Sequence, residues 1–148
     1  MPIEEFTRHA AVARPAEEVF AHLARPESYV GLSPLVVAVR EVDVREGAVR
    51  YVAVERFRFG PLRWDNPIRV TMTFPEPGRR VVSEVVSPGR VRLRSTLALV
   101  PDASGTRVSE TVRVLFPAPL RALVLGQAAT AQEYRLRELV RRMANAGR

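Results

Sequence analysis

Apolar and polar side chains alternate with a period of two through most of the chain between residues 36 and 116. This period is typical of strands that turn one face to a core and the other to water. Glycine and proline interrupt the alternation and favour turns, as at Glu46-Gly47 and Pro88-Gly89. Strands joined by short turns predict an antiparallel meander. The six predicted strands span residues 36–44, 49–59, 64–74, 80–87, 90–100 and 106–116.

The segment before the meander predicts one more strand and two short elements. Residues 4–12 alternate weakly and predict a strand whose inward face stays undecided. Residues 14–24 predict a short helix, with Pro15 in its first turn and Pro26 just past its end. Residues 27–35 predict a second short helix or a loop.

A long amphipathic helix is predicted over 120–146, because this segment contains no proline and a single glycine. Its apolar stripe consists of Leu125, Ala128, Gln132, Leu136, Leu139 and Met143. A strand, two short helices, an antiparallel meander and a terminal helix form an α+β order. We expect one domain over residues 1–148, in which a strongly bent sheet grips the helix and leaves a cavity between them.

Three segments of the chain carry a family resemblance. The first reads Val-Ala-Arg-Pro-Ala-Glu-Glu-Val-Phe over 12–20 and Pro-Glu-Ser-Tyr over 26–29. The second is the loop 31–34, where Leu32 stands at a position that is commonly tryptophan. The third is Thr-Arg-Val over 106–108, followed by a strand and a Pro-Ala-Pro helix start. Together they resemble the Bet v 1-like, START-related superfamily (SRPBCC), often named after polyketide cyclases and lipid-transfer proteins.

The resemblance covers almost the whole chain and implies a helix-grip fold. In that fold a curved antiparallel sheet of six to seven strands surrounds a long C-terminal helix, with two short helices after the first strand. The superfamily includes lipid carriers, hormone receptors, chaperone activators and cyclases. The resemblance therefore implies a fold and does not choose a function.

Alternate residues of each predicted strand lie on opposite faces of the sheet, and on several strands one face is rich in arginine, which identifies it as the outer face. The opposite faces are aromatic and aliphatic with few polar groups, a composition that suits a small-molecule site. Small residues on the terminal helix either leave room for a ligand or let the helix pack closely. The expected ligand-binding residues are Tyr51, Glu55, Phe57, Trp64, Asn66, Ile68, Val70, Met72, Leu93, Ser95, Leu97, Glu110, Val112, Ala128, Ala131 and Gln132.

Two glutamates, Glu55 and Glu110, fall on these otherwise apolar faces. A carboxylate in such a place must be paired, protonated or hydrated. One interpretation makes Glu55, Glu110 or Tyr51 a catalytic or ligand-anchoring residue with a perturbed pKa. The other, which we favour, puts each glutamate near a strand end or beside an arginine such as Arg8. If both faced the cavity, they could share a proton or bind a cation.

Several kinds of chemistry have no support in the sequence. The chain contains no cysteine, and nothing near His9 or His22 completes a metal site. We expect both histidines to be structural or exposed, and Trp64 to belong to the core. Motifs of nucleotide binding, serine nucleophiles and zinc proteases are missing. We therefore expect no cofactor and no metal.

The formal net charge is +7, which by itself could indicate a nucleic-acid or anionic-membrane partner. All 23 basic residues are arginine, and a phosphate-binding surface has no reason to exclude lysine, so a nucleic acid is not expected. The outward arginines include Arg50, Arg56, Arg58, Arg90, Arg92 and Arg94. They are expected either to be solvated and balanced by Glu84 and Asp65, or to bind an acidic partner such as an acyl-carrier protein.

An acidic N-terminus without an apolar signal core and the lack of a long apolar run predict a cytoplasmic protein without a transmembrane segment. Three functions stay open. The first is binding of a small hydrophobic molecule: a lipid, a polyketide or a related metabolite. The second is an aromatase/cyclase-type enzyme that holds a poly-β-keto chain folded. The third is a protein-interaction module that uses the outer arginines, and the sequence does not decide between monomer and homodimer.

Overall fold

A computed structural model describes residues 2–87 and 90–146 as a curved sheet and a long helix. The strands are β1 (Ile3–Val12), β2 (Val36–Arg45), β3 (Ala48–Phe59), β4 (Leu62–Glu76), β5 (Arg80–Ser87), β6 (Val91–Asp102) and β7 (Gly105–Leu115). They form one antiparallel sheet in the order β1–β7–β6–β5–β4–β3–β2. The helices are α1 (Ala16–Leu23) and α2 (Arg121–Ala146), with short 3₁₀ turns at Pro26–Tyr29 and Ala118–Leu120.

This architecture confirms the helix-grip prediction, with seven strands and two helical elements after the first. The predicted turn at Glu46-Gly47 has φ of 52° and 76°, as a two-residue hairpin turn requires. Pro67 lies beyond the last pair of β4 with β5, which joins Arg69 to Val86, so β4 is locally an edge there. The predicted turn at Pro88-Gly89 falls outside the described residues.

Gly105 is the point where the β6–β7 turn meets the end of β1. Its φ of 140° suits glycine, and a Cβ here would overlap the carbonyl oxygen of Val12 and the nitrogen of Arg14. Thr106 Oγ1 also donates a hydrogen bond to the Arg14 carbonyl, at 2.8 Å. The β6–β7 turn therefore fixes where β1 ends and where the chain leaves for α1.

The inward face of β1, which the sequence left open, contains Phe6, Ala10 and Val12. Val12 is buried, and the register puts this face in line with Val108 and Val112 of β7. His9 lies on the outer face, where its Nδ1 is 2.7 Å from Ser109 Oγ. None of the described helices combines the length and the hydropathy that crossing a bilayer requires.

The core consists of two apolar clusters along α2, whose nearest strands are β1 and β7. The first cluster surrounds the second half of α2, through Leu136, Leu139 and Met143, and reaches α1 and the strands as far as β2. The second cluster is smaller and surrounds the first half of the helix. It contains Val112, Val114 and Phe116, with Phe6, Val91, Leu93, Val124, Leu125 and Ala128 partly buried against them.

Candidate functional site

A buried ion pair joins β7 to α2 at the centre of the molecule. Glu110 is fully buried, and the side chain of Arg135 is 12% exposed. Arg135 donates from Nε to Glu110 Oε2 and from Nη2 to Oε1, both at 2.9 Å. Two parallel, charge-assisted hydrogen bonds are the strongest arrangement available to this pair. The positive charge of Arg135 therefore balances the negative charge of the Glu110 carboxylate inside the fold.

Three more polar side chains complete this cluster, which we call the polar belt. Ser95 Oγ donates to Glu110 Oε2 at 2.8 Å. Arg135 Nη1 donates to Ser33 Oγ at 3.1 Å, and Gln132 Nε2 donates to the Glu110 carbonyl at 2.9 Å. Gln132 is fully buried, and its Oε1 has no hydrogen-bond partner among the described residues. The belt is thus satisfied except for one acceptor, which a water or a ligand donor would fill.

The polar belt separates the two apolar clusters. On β7, Glu110 lies between Val108 of the first cluster and Val112 of the second. Ser95 and Gln132 hold the same intermediate positions on β6 and α2. Burial alone would lower the pKa of Arg135, and the adjacent Glu110 carboxylate more than offsets this and raises it. The polar belt therefore contains an ion pair between the sheet and α2 in which both groups stay charged.

The structure puts Glu110 beside an arginine, as the favoured interpretation predicts, but that arginine is not Arg8. The residue pairs with Arg135 and not with Arg8, whose Nη1 is 3.8 Å from Glu133 instead. A shared proton between Glu55 and Glu110 is also wrong, because both oxygens of Glu110 accept from Arg135. Tyr51 is buried, and burial raises the pKa of its hydroxyl, so it stays protonated at neutral pH.

Glu55 has a different environment, near the end of the β3–β4 hairpin. Its side chain is half-buried, and burial raises the pKa of its carboxyl, against a smaller lowering by a hydrogen bond from Asn66. Asn66 is its direct cross-strand partner. Among the residues that the structure describes, no cation lies within ion-pair distance of Glu55. A carboxyl that is partly desolvated and unpaired can exchange a proton with a bound molecule.

Two aromatic rings continue the same face beyond Glu55. Phe57 and Trp64 are cross-strand partners and stack with ring centroids 5.6 Å apart at 17°. The prediction that Trp64 belongs to the core is wrong, because the residue is 51% exposed. Period two identifies its face correctly, but α2 lies nearest to β1 and β7 and leaves this end of the sheet uncovered. A partly exposed aromatic surface thus lies beside a carboxyl with a raised pKa.

The chain matches the family described as polyketide cyclase/dehydrase and lipid transport, over residues 4–147. It belongs to that family. No curated protein sequence matches it. The family membership agrees with the helix-grip architecture and supports binding of small hydrophobic molecules, while the individual ligand differs among members of so broad a family.

Solved structures share the fold at low sequence identity. The Zhui aromatase/cyclase from a Streptomyces species matches with a TM-score of 0.82 and 14% identity, over 99% of this chain and 97% of that one. The di-domain ARO/CYC StfQ of the steffimycin biosynthetic pathway matches with a TM-score of 0.78 and 12% identity, over 97% and 51%. Ara h 8.0201 matches with a TM-score of 0.65 and 9% identity, over 94% and 99%. At these identities the likeness establishes the fold alone.

The structure divides the sixteen predicted ligand-binding residues of this family member into two groups. The buried group is Tyr51, Ile68, Val70, Met72, Ser95, Leu97, Glu110, Val112 and Gln132. The half-buried or exposed group is Glu55, Phe57, Trp64, Asn66, Leu93, Ala128 and Ala131. Only the second group has surface that an entering molecule can reach without repacking the core.

Arginines of α2 that the sequence analysis did not single out hold the loop after α1. Arg142 donates from Nη1 to the Ser28 carbonyl at 2.6 Å and from Nη2 to the Val30 carbonyl at 2.9 Å. His22 Nε2 lies 3.2 Å from the same Nη1. With the bond from Arg135 to Ser33, this fixes the segment 28–33 to the second half of α2. The loop is therefore anchored to α2, and it leads directly into β2, where Val36 is the cross-strand partner of Glu55.

Proposed function

We propose that this protein binds a small apolar molecule with at least one polar group on the inner face of the sheet. The proposed site lies between the β3–β4 hairpin and the first half of α2, and we call it the cleft. Lipids, polyketides and related metabolites are the classes that fit. The observation that supports this most is Glu55, a half-buried carboxyl with a raised pKa and no cationic partner among the described residues. Protonated, it can donate to a carbonyl; ionised, it can accept from a hydroxyl.

The surroundings of Glu55 support the same site. Phe57 and Trp64 offer a stacked aromatic surface, and Asn66 offers an amide that can donate and accept. On the facing helix, Gly126 has no heavy atom within 4 Å of a Cβ placed on it, and Ala128 is half-buried. An apolar lining with a few oriented polar groups is the usual composition of a small-molecule site.

Trp64 makes the site directly measurable, because it is the only tryptophan of the chain. Titration with the neutral apolar dye Nile red should quench Trp64 fluorescence by energy transfer and enhance dye emission. Phe57→Ala should weaken dye binding about tenfold, since it removes half of the aromatic surface. Val44→Ala, which shortens a 68% exposed apolar side chain on β2, is the matched control and should leave binding unchanged.

Equal dye binding by the Phe57→Ala and Val44→Ala variants, or no quenching of Trp64 in the unmodified protein, would reject this cleft as the site. Native mass spectrometry of protein freshly purified from its own host then identifies the natural ligand. A bound molecule that is recovered unchanged is the result expected of a carrier or sensor.

An aromatase/cyclase-type enzyme is the second candidate, and Glu55 is again the observation that favours it. The ionised carboxylate would remove a proton from a methylene carbon between two carbonyls of a folded poly-β-keto chain. The electron pair left on carbon would form a bond to a ketone carbon of the same chain, and that ketone oxygen would take the proton. Loss of the resulting hydroxyl as water, with a proton from the neighbouring carbon, would then form a carbon–carbon double bond in the closed ring. The cleft would contribute mainly by orientation.

Turnover separates the two candidates. A poly-β-keto surrogate should cyclise with the unmodified protein and not with Glu55→Gln, while both proteins bind Nile red equally. The rate should rise with pH through the raised pKa of Glu55, because the base must be ionised. Equal turnover by both proteins would exclude Glu55 as the base.

A macromolecular partner stays a separate proposal. An acidic protein such as an acyl-carrier protein would meet the arginines of the outer face, and binding to it should weaken steeply with salt. We propose that the protein functions in the cytoplasm.

A further inference from the structure

The outer face of the sheet contains an arginine cluster at β6 and β7. In the sheet register Arg94 lies directly opposite Arg113, and Arg92 precedes Arg94 by two residues on the same face. Side chains directly opposite on neighbouring strands stand about 5 Å apart at Cβ, and those two residues apart about 7 Å. All three arginines are exposed. Three guanidinium groups therefore share one small area of surface.

Acidic neighbours compensate this cluster only in part. Glu84 lies 3.7 Å from Arg94, and Glu5 is the cross-strand neighbour of Arg113 on β1. No carboxylate lies within 4.0 Å of Arg92 or Arg113 in the described part of the chain. Like charges directly opposite each other destabilise a sheet. An anion between Arg94 and Arg113 would remove that repulsion.

The same three arginines line a depression of about 320 Å³ on this face, together with the carboxylate of Glu84. Its remaining outward side chains are apolar: Ile3, Val86 and Leu115, of which Ile3 is 50% and Val86 51% exposed. The register puts Leu115 and Val86 on either side of Arg92 and Ile3 beside Leu115. Three apolar side chains thus surround Arg92, next to the opposed pair Arg94 and Arg113.

We propose that this depression binds a phosphate monoester with a short apolar stem, on the side of the sheet opposite the cleft. Guanidinium groups bind phosphate oxygens through paired N–H donors, and a dianion matches two of them. The stem would lie on the apolar side chains beside Arg92. The site does not depend on the function proposed for the cleft.

Calorimetry with hexyl phosphate, inorganic phosphate and hexanol tests the proposal by separating head group from stem. Hexyl phosphate should bind most tightly and hexanol not at all. Arg94→Gln/Arg113→Gln should weaken hexyl phosphate about tenfold. Arg50→Gln/Arg107→Gln, which removes two exposed outer arginines away from the depression, has the same net charge and should bind as the unmodified protein does.

A second measurement keeps the test independent of damage to the fold. Without ligand, Arg94→Gln/Arg113→Gln should melt at a higher temperature than the unmodified protein, because the opposed charges are gone. Hexyl phosphate should raise the melting temperature of the unmodified and control proteins and not of this variant.

Vesicles of phosphatidylcholine with phosphatidic acid distinguish a lipid head group from a free ester. Vesicle binding that this double variant loses, without binding of hexyl phosphate, would still support a phosphate site and would make its source the membrane. Equal weakening in both double variants would overturn the proposal, since net charge alone would then explain it. Binding of a glutamate decapeptide at Arg94 and Arg113 in place of either phosphate source would also overturn it, in favour of an acidic protein.

Discussion

Glu110 and Glu55 both lie on the inner face of the sheet, and their environments differ in one respect that decides their roles. Glu110 is fully buried, and both of its oxygens accept from Arg135. Glu55 is half-buried beside Asn66, without such a partner among the described residues. A fully paired carboxylate stabilises a fixed arrangement, whereas an unpaired one responds to whatever enters. Glu110 therefore has a structural role, and Glu55 is the glutamate on which the proposed binding site depends.

The two halves of α2 show the same contrast in apolar packing. Leu139, in the second half, is completely buried, while Leu125, on the same apolar stripe in the first half, is only partly buried. The first half contacts the smaller cluster through Val124 and Leu125, which are only partly buried. The second half of α2 and the cluster around it are therefore closely packed, and we call them the closed half. The first half of α2 and its smaller cluster are packed less completely, and we call them the open half.

The largest effect that would break this contrast is expected from Arg135→Met. It leaves the Glu110 carboxylate buried with only Ser95 as a side-chain donor, and should lower the free energy of unfolding by about 3–5 kcal/mol. Urea denaturation measures it. The matched control is Arg137→Met, two residues along α2, where the side chain is 72% exposed and pairs with Glu133. That variant should lose at most about 0.5 kcal/mol.

A double variant separates the charge from the packing of Arg135. Glu110→Gln/Arg135→Met removes both charges and should regain a substantial part of the lost stability, since no unpaired ion stays buried. If Arg135→Met were no more harmful than Arg137→Met, the belt would contribute nothing to the closed half.

Truncation of leucines along α2 should give the next largest effects. Leu139→Ala removes a completely buried side chain from the first cluster and should cost about 2–5 kcal/mol. Leu125→Ala, on the same stripe in the first half, should cost only about 1–2 kcal/mol, because its side chain is only partly buried. Urea midpoints for the two variants compare the halves directly. Similar losses would mean that the first half of the helix is as closely packed as the second.

The sequence was sufficient for the fold because each strand repeats its signal several times. On β3 and β6, for example, alternation with outward arginines identifies the inner face at every second residue. Glycine and proline bound most of the strands, and each of the seven begins and ends within two residues of its predicted limits. Burial at the hairpin end could not be predicted in the same way. Trp64 has the period of a core residue, yet its exposure depends on where α2 lies across the sheet.

The ion-pair partner of Glu110 was not predictable from the sequence, because the chain offers 23 chemically identical arginines. One signal was available. Arg135 follows Gln132 by three residues and precedes Leu136 and Leu139, so it borders the apolar stripe of the helix. A charged residue at the edge of a buried stripe needs a partner on the facing sheet, and Glu110 is the carboxylate there. Choosing it over Glu55 required the three-dimensional position of α2.

The variant Glu55→Gln should differ from the unmodified protein in how the free energy of unfolding depends on pH. The carboxyl has a folded pKa above its ordinary value of 4.5, so its contribution to stability is fully present below that pH and is lost as pH rises through the folded pKa. The variant has no such loss. Urea unfolding at several pH values should therefore find equal stabilities near about pH 3.5 and a more stable variant near about pH 7. A difference that is constant with pH would contradict the raised pKa.

His22 in the closed half should respond to pH with the opposite sign and the smallest effect. Burial lowers the pKa of its imidazole, and the cations Arg142 and Arg25 lower it further. The unfolded chain therefore takes up a proton first, and stability declines as pH falls below about 6.5 until the folded state is protonated too. His22→Gln keeps an acceptor for Arg142 Nη1 without the titration, so its stability should not decline in this window.

Amide hydrogen exchange in the segment 28–33 reports the same event locally, since a protonated His22 repels the arginine that holds the Ser28 and Val30 carbonyls. After correction for the slower intrinsic exchange of amides at low pH, a loss of protection in the unmodified protein alone is the expected result. An equal loss in the variant would show that His22 does not control this loop.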